Sequence, residues 1–257
     1  MKYYLLATIY FLSYYLGINR LFYFLNKNRQ RVITFHNVIP DILFDNSIHL
    51  GVSCTDKNFE FQIKQIAKKL KITTELGVSN SCIITFDDGY LNQYCIAHDI
   101  LKKFSYRAVF FINSDLVKKK KLLWIDKLLM YFSYLPNGTY SFCNQKFFIN
   151  TDTRFTSYVS AYQFIYSCYH LKEEFMNQLD RYESLINIDS ELNKLRFEAL
   201  DNYHIEIMKN YGHMIGCHST SHEILLKLNK NELEDEIKQC ENLVGKFYNC
   251  NYFNSYR

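Results

Sequence analysis

The sequence predicts an α/β fold with a parallel sheet or barrel, because strand-like apolar runs alternate with stretches of helical period. Arg31–Val38, Cys82–Phe86 and Ala108–Ile112 read as strands. Between them, Phe59–Lys71 places Phe59, Ile63, Ile66, Ala67 and Leu70 along one helical face, and a second helix is expected over about Leu91–Phe104. Helices of that length between strands imply parallel pairing through right-handed crossovers. The 257 residues, 48% hydrophobic and 22% charged, exclude a disordered or fibrous chain. Lys and Arg number 30 against 26 Asp and Glu, and the formal charge of +4 is too small to announce a nucleic-acid partner.

Ahead of the first strand the chain is apolar and tyrosine-rich. Tyr3–Ile18 holds sixteen uncharged residues, about 24 Å as a helix against a hydrocarbon core of roughly 30 Å. Extending the helix to Leu25 provides the length but includes Arg20, which would snorkel to the headgroups. No small-x-small cleavage site follows. With Lys27, Arg29 and Arg31 behind it, the segment suits an interfacial or anchor helix over residues 1–28, docking on a membrane surface through residues 1–25. A membrane-associated protein is therefore expected, a cytoplasmic one with a buried first helix being the alternative.

Residues 29–117 carry the first part of the α/β unit. From Lys118 the rhythm is lost, and residues 118–202 are expected to be a mainly helical insertion. It opens with the solvated run Lys118–Lys121, continues with an amphipathic helix carrying Leu122, Leu123, Ile125, Leu128, Leu129 and Phe132, turns at Pro136-Asn137-Gly138, and has a helix near Leu171–Leu185. The second part, residues 203–257, ends in a helix over Glu232–Phe247, with Asn229 and Glu232 spaced as an N-cap pair. The eight cysteines show no CxxC pair and no regular spacing, so all eight are expected to be buried small hydrophobes rather than a disulfide framework. Only 8 Gly and 2 Pro are present, few for a loop-rich enzyme fold.

Two clusters carry chemistry. Thr85-Phe86-Asp87-Asp88-Gly89 stands where a buried strand runs into a turn. Two adjacent carboxylates there need a compensating cation or proton, although an Asp-Gly turn ends many strands without one. His218-Ser219-Thr220-Ser221-His222 spaces two imidazoles four apart, which on a helical turn puts both within reach of one metal. Asp88 would complete a two-His, one-carboxylate site, leaving Asp87 free as a base. An unrelated metal phosphoesterase is disfavoured, since no second bridging-metal set is visible.

Thr85–Gly89, the strand Ala108–Ile112 and GHMIGCHSTSH at 212–222 resemble, in that order, the polysaccharide deacetylases of the NodB homology type. That family carries T-F-D-D-G and H-[ST]-x-x-H, and the resemblance covers about residues 31–117 and 203–257. It implies a distorted (β/α) barrel and a metal-dependent amidase acting on an N-acetylated polysaccharide or oligosaccharide. Matched position by position, Asp88, His218 and His222 bind the metal and Asp87 is the catalytic base. The strand ITFHNV resembles the Y-H-x-[VI] motif of the branch acting on cell-surface polysaccharides, and makes His36 the candidate acid. The LLWIDKL segment is similar to membrane-proximal members of surface-polysaccharide clusters. Zn²⁺ is the expected ion; Co²⁺, Ni²⁺ or Mn²⁺ fit the same ligands. His49, His98, His170, His204 and His213 lack motif context and read as structural.

One departure shapes the expectation. Where the family continues with a Y-P-x-G-like motif and further barrel strands, this chain has YFNSYR and stops at Arg257. The barrel is therefore expected to be incomplete at its C-terminus. The functional expectation is N-deacetylation, the alternative being a catalytically impaired, deacetylase-like saccharide-binding protein.

Overall fold

A computed structural model describes residue 8 and residues 11–44, 52–186 and 191–245. Residues 11–15 are helical, Gly17 turns left-handed at φ 70°, and α1 (Ile18–Leu25) follows. The glycine divides the expected continuous helix, and among the described residues no helix is long and apolar enough to cross a membrane. Phe11, Tyr14, Tyr15, Leu16, Leu21, Phe22, Phe24 and Leu25 are all exposed.

The expected first strand is two. β1 (Arg31–Phe35) and β2 (Asn37–Ile39) are separated by His36 and enter different sheets. β2 pairs in parallel with β3 (Ser53–Thr55). Thr55 then caps α2 (Asp56–Ala67) by accepting from the Asn58 amide at 3.1 Å, and the helix buries Phe59 and Ile63, one turn apart. β4 (Lys71–Ile72) and the fully buried β5 (Ser81–Phe86) lead into a helix over residues 91–103, wound wide at residues 93–98 and ending in α3 (Asp99–Lys103). β6 (Val109–Ile112) and α4 (Ser114–Lys119) complete the first part.

The insertion contains α5 (Trp124–Tyr134), β7 (Gly138–Phe142), β8 (Gln145–Ile149), α6 (Arg154–Ser167), α7 (Lys172–Asp180) and α8 (Glu191–Phe197). The insertion is mainly helical, and the antiparallel β7–β8 hairpin, which starts at Gly138 directly after the Pro136–Asn137 loop, is an element the sequence reading did not include. Tyr140 and Phe142 alternate inward on one strand and Phe147 and Ile149 on the other, across a turn with Cys143 and Asn144 at φ 48° and 63°. Two left-handed residues suit the twist of a tight hairpin. These aromatics join Phe132, Phe175 and Leu179 in a core of the insertion's own. Lys120, expected in a solvated run, is anchored: its Nζ donates to Ala199 O at 3.1 Å and Leu200 O at 2.7 Å.

The second part comprises α9 (Asn202–Tyr211), β9 (Met214–Cys217) and α10 (Lys230–Val244). Asn229 caps α10 as expected, its side chain accepting the Glu232 amide at 3.1 Å while Glu232 accepts the Asn229 amide at 2.7 Å. The main sheet runs β1-β5-β6-β9, all parallel, with β4 on β5. Among the described residues no strand joins β9 to β1, so the expected barrel is seen as a sheet. The Phe253–Tyr256 departure lies outside the described residues.

Stacked Phe86 and Phe110 (centroids 4.8 Å apart), with Phe35 and Phe59, pin the sheet's helix-covered face. Each ring contributes about 1.5–3 kcal/mol by burial. The described cysteines are free, but burial is not uniform: Cys82, Cys217 and Cys240 are buried, Cys54, Cys143 and Cys168 partly so, and Cys95 is exposed, because its helix turns that side to solvent. Cys250 lies outside the described residues.

Candidate metal centre

The C-terminal ends of β5 and β9 bring both motifs together, as parallel α/β sheets do at their carboxyl edge. Leaving β5, Asp87 stays hydrogen-bonded to the sheet through its amide and Phe35 O (3.1 Å), and the chain then turns sharply. Asp88 has φ 79° and Gly89 φ 94°. The φ of Gly89 favours glycine, and a Cβ there would also crowd Ile112 Cγ2 at 3.3 Å. After β9, His218 and His222 lie on a loop and not on the expected helical turn. Ser219 and His222 are left-handed at φ 68° and 62°, and these bends, rather than helical periodicity, place the imidazole centroids 5.5 Å apart.

The result is convergent. His218 Nε2 and His222 Nε2 each stand 3.3 Å from Asp88 Oδ1, and the ligand atoms of the three residues lie within 4.8 Å of one another. Asp88 is 3% exposed and His218 1%. Asp88 Oδ1 is buried with no hydrogen bond of good geometry among the described residues. Burial opposes the Asp88 charge, but the attraction of His218 and then His222 more than offsets it and holds the carboxyl well below its ordinary range. Two imidazoles and one carboxylate aimed at one point fit a divalent cation.

Asp87 is buried beside this set, with its Oδ2 3.8 Å from His36 Nε2, while His36 is partly open to solvent. Gln93 donates to both His36 O and Asp87 O, tying the end of β1 to the turn. All five expected site residues therefore occupy one sheet edge.

Three supports were not legible beforehand. Glu236, from α10, accepts the Thr220 and Ser221 amides at 2.9 Å each and the Ser221 hydroxyl, so one carboxylate holds the loop between the two histidines. Trp124 Nε1 donates to His222 O at 2.8 Å. Tyr90, 2% exposed, donates its hydroxyl to Asp126 Oδ2 at 2.6 Å. Burial, with the Asp88 charge adding, pushes Asp126 up to about 7. A cleft of about 390 Å³ lies beside the loop, lined by Ser221, Asp115, Trp124, Lys127, Lys172 and Glu223.

Among the remaining histidines, His98 and His213 bond each other inside the core and His204 packs into the Asp201 cap of α9. His49 lies outside the described residues.

The α/β chain with its parallel sheet has a fold similar to that of a solved deacetylase. Among solved structures, the Streptococcus pyogenes deacetylase PplD in complex with acetate is similar with a TM-score of 0.50 at 12% identity, over 88% of this chain and 71% of that one. IcaB from Ammonifex degensii gives a TM-score of 0.46 at 11% identity, covering 86% and 70% of the two chains. The de-N-acetylase from Aggregatibacter actinomycetemcomitans gives 0.47 at 14%, covering 85% and 75%. No family model and no curated protein sequence matches the chain.

Proposed function

We propose that the protein hydrolyses the N-acetyl group of an N-acetylated polysaccharide, with a divalent cation, best Zn²⁺, held by Asp88, His218 and His222. The carrying observation is the buried convergence of those three ligand atoms beside a second carboxylate, Asp87. When bound, the cation supplies Lewis acidity to an amide carbonyl and to the water beside it. Asp87, next in sequence to a ligand, takes a proton from that water as its oxygen attacks the carbonyl carbon. The carbon–nitrogen bond breaks as His36 protonates the departing nitrogen, since an amine leaves poorly as an anion. Acetate and a free amino sugar are the products, with no other reactant required. The cleft along Ser221 and Trp124 is the place for the neighbouring saccharide, and a distorted barrel is the architecture this reading assumes.

Acetate release from an N-acetylglucosamine oligomer by zinc-loaded protein tests the reading. Release that disappears on chelation and falls by about 10²–10⁴ in Asp87→Asn is expected. Folded, zinc-loaded protein giving no acetate overturns it; saturable oligosaccharide binding without release would then favour a binding role.

The chain is also proposed to lie on an anionic membrane surface. Supporting this, the exposed apolar residues of positions 11–25 surround Arg20 and are followed by Lys27, Arg29 and Arg31, and residues 1–40 contain no Asp or Glu. Co-sedimentation with phosphatidylserine vesicles that weakens with salt is expected; recovery of all the protein in the supernatant at low salt would exclude it.

A further inference from the structure

One turn of the insertion touches both halves of the metal centre. Trp124 and Asp126 sit in the first turn of α5, two residues apart. Trp124 donates to the carbonyl of His222, a residue held left-handed and therefore dependent on its surroundings. Asp126 accepts from Tyr90, two residues beyond Asp88 and one beyond the left-handed Gly89. The insertion's own core fixes this turn: Trp124 stacks on Tyr162 of α6 at 6.0 Å with the rings 6° from parallel, and Leu128 and Phe132 of α5 are fully buried. Behind Asp126 lies Arg196 of α8, 1% exposed, whose charge opposes that of the carboxylate. The segment around Tyr90 is further held by the returning limb of the insertion, with Leu91 N donating to Glu198 O at 2.7 Å and Leu200 N to Gly89 O at 2.9 Å.

We propose that Trp124 and Asp126 are positioning residues of the metal centre: a single helical turn of the insertion braces the His222 loop on one side and the Asp88 turn, through Tyr90, on the other. The insertion thereby sets the separation of the carboxylate from the imidazoles. This rests on the metal reading above. It assigns the insertion a part in metal affinity that an appended packing module would not have.

Zinc affinity of the full chain, measured by competition with a chromophoric chelator, tests it independently of turnover. Trp124→Phe, which keeps an aromatic ring and loses the N–H, and Tyr90→Phe, which loses one oxygen, are each expected to weaken zinc binding about tenfold. Asp126→Ala should match Tyr90→Phe, the double variant Tyr90→Phe/Asp126→Ala should be no worse than Asp126→Ala alone, and Asp126→Asn, which keeps an acceptor, should recover most of the affinity. Should Trp124→Phe not fold, as judged by circular dichroism, Tyr90→Phe carries the test. Folded variants that bind zinc as tightly as the wild type overturn the proposal while leaving the metal reading intact. A wild-type chain that binds no zinc overturns both.

Discussion

Two pairs of histidines are set into this fold, and they differ in where their ring nitrogens find partners. His98 and His213 close on each other: His213 Nδ1 accepts the Ala108 amide at 3.0 Å, which leaves its Nε2–H to donate to His98 Nδ1 at 2.9 Å. His218 and His222 instead turn both Nε2 atoms on one carboxylate oxygen. Burial does not separate the pairs, since His213 and His218 are 0% and 1% exposed. What separates them is geometry: the first pair satisfies itself against a backbone amide as part of the core, and the second converges with Asp88 on one point, a donor set that fits a cation.

The sharpest way to break that distinction is to remove the carboxylate. Asp88→Asn, which tolerates the left-handed backbone, should abolish zinc binding by at least about 100-fold in a chelator competition. Melting of the metal-free protein should stay within a few degrees of wild type, and retained tight binding would show that the second pair is not a metal site. Next in size, His213→Ala should destabilise the fold by about 2–4 kcal/mol in urea, because it orphans a buried amide and opens a cavity. The zinc affinity of the folded protein should not change, and a large loss there would merge the two pairs.

The closed pair also predicts a pH effect. Burial, then His98, pushes His213 down from 6.5 to about 3. The unfolded chain therefore binds a proton that the folded chain refuses, and stability is full above pH 6.5 and falls as the pH drops towards 3. From pH 7 to pH 5 the His213 contribution falls by about 2 kcal/mol, read as the difference between wild type and His213→Ala in how the urea midpoint changes with pH, because the raised Asp126 gains stability over the same range. The smallest effect is expected for Glu236→Gln. It keeps an acceptor for the Thr220 and Ser221 amides but loses the charge, at about 1 kcal/mol, seen as a small drop in melting temperature with zinc binding weakened only slightly.

Legibility followed how local the determining physics was. β5 and β6 follow from near-continuous apolar runs, and the cap of α10 from Asn229 and Glu232 alone. The hairpin escaped because its turn is Cys143-Asn144, without the glycine that advertises such turns, while Pro136-Asn137-Gly138 nearby drew the loop assignment instead. The break at His36 escaped because nothing in ITFHNV marks where one strand ends and the next begins. At the centre, the residue types Asp87, Asp88, His218 and His222 were readable, but the loop that carries the histidines was mistaken for a helical turn. The left-handed Ser219 and His222 depend on Glu236 and Trp124, contacts made across long sequence separations. Tyr90 and Asp126 were invisible for the same reason, being partners only once the insertion has folded back.

The Lys120 ammonium, seated on the carbonyls of Ala199 and Leu200, gathers the departure and the return of the insertion at one spot. A long excursion that begins and ends at one address can drift in length cheaply, because doubling a loop adds only about 0.6 kcal/mol of closure entropy. Descendants of this gene are thus free to lengthen, trim or redecorate the excursion, and with it the wall of the cleft. Its hem at Glu198–Leu200, stitched to Gly89 and Leu91, and the turn carrying Trp124 and Asp126 are the parts that have to stay in place.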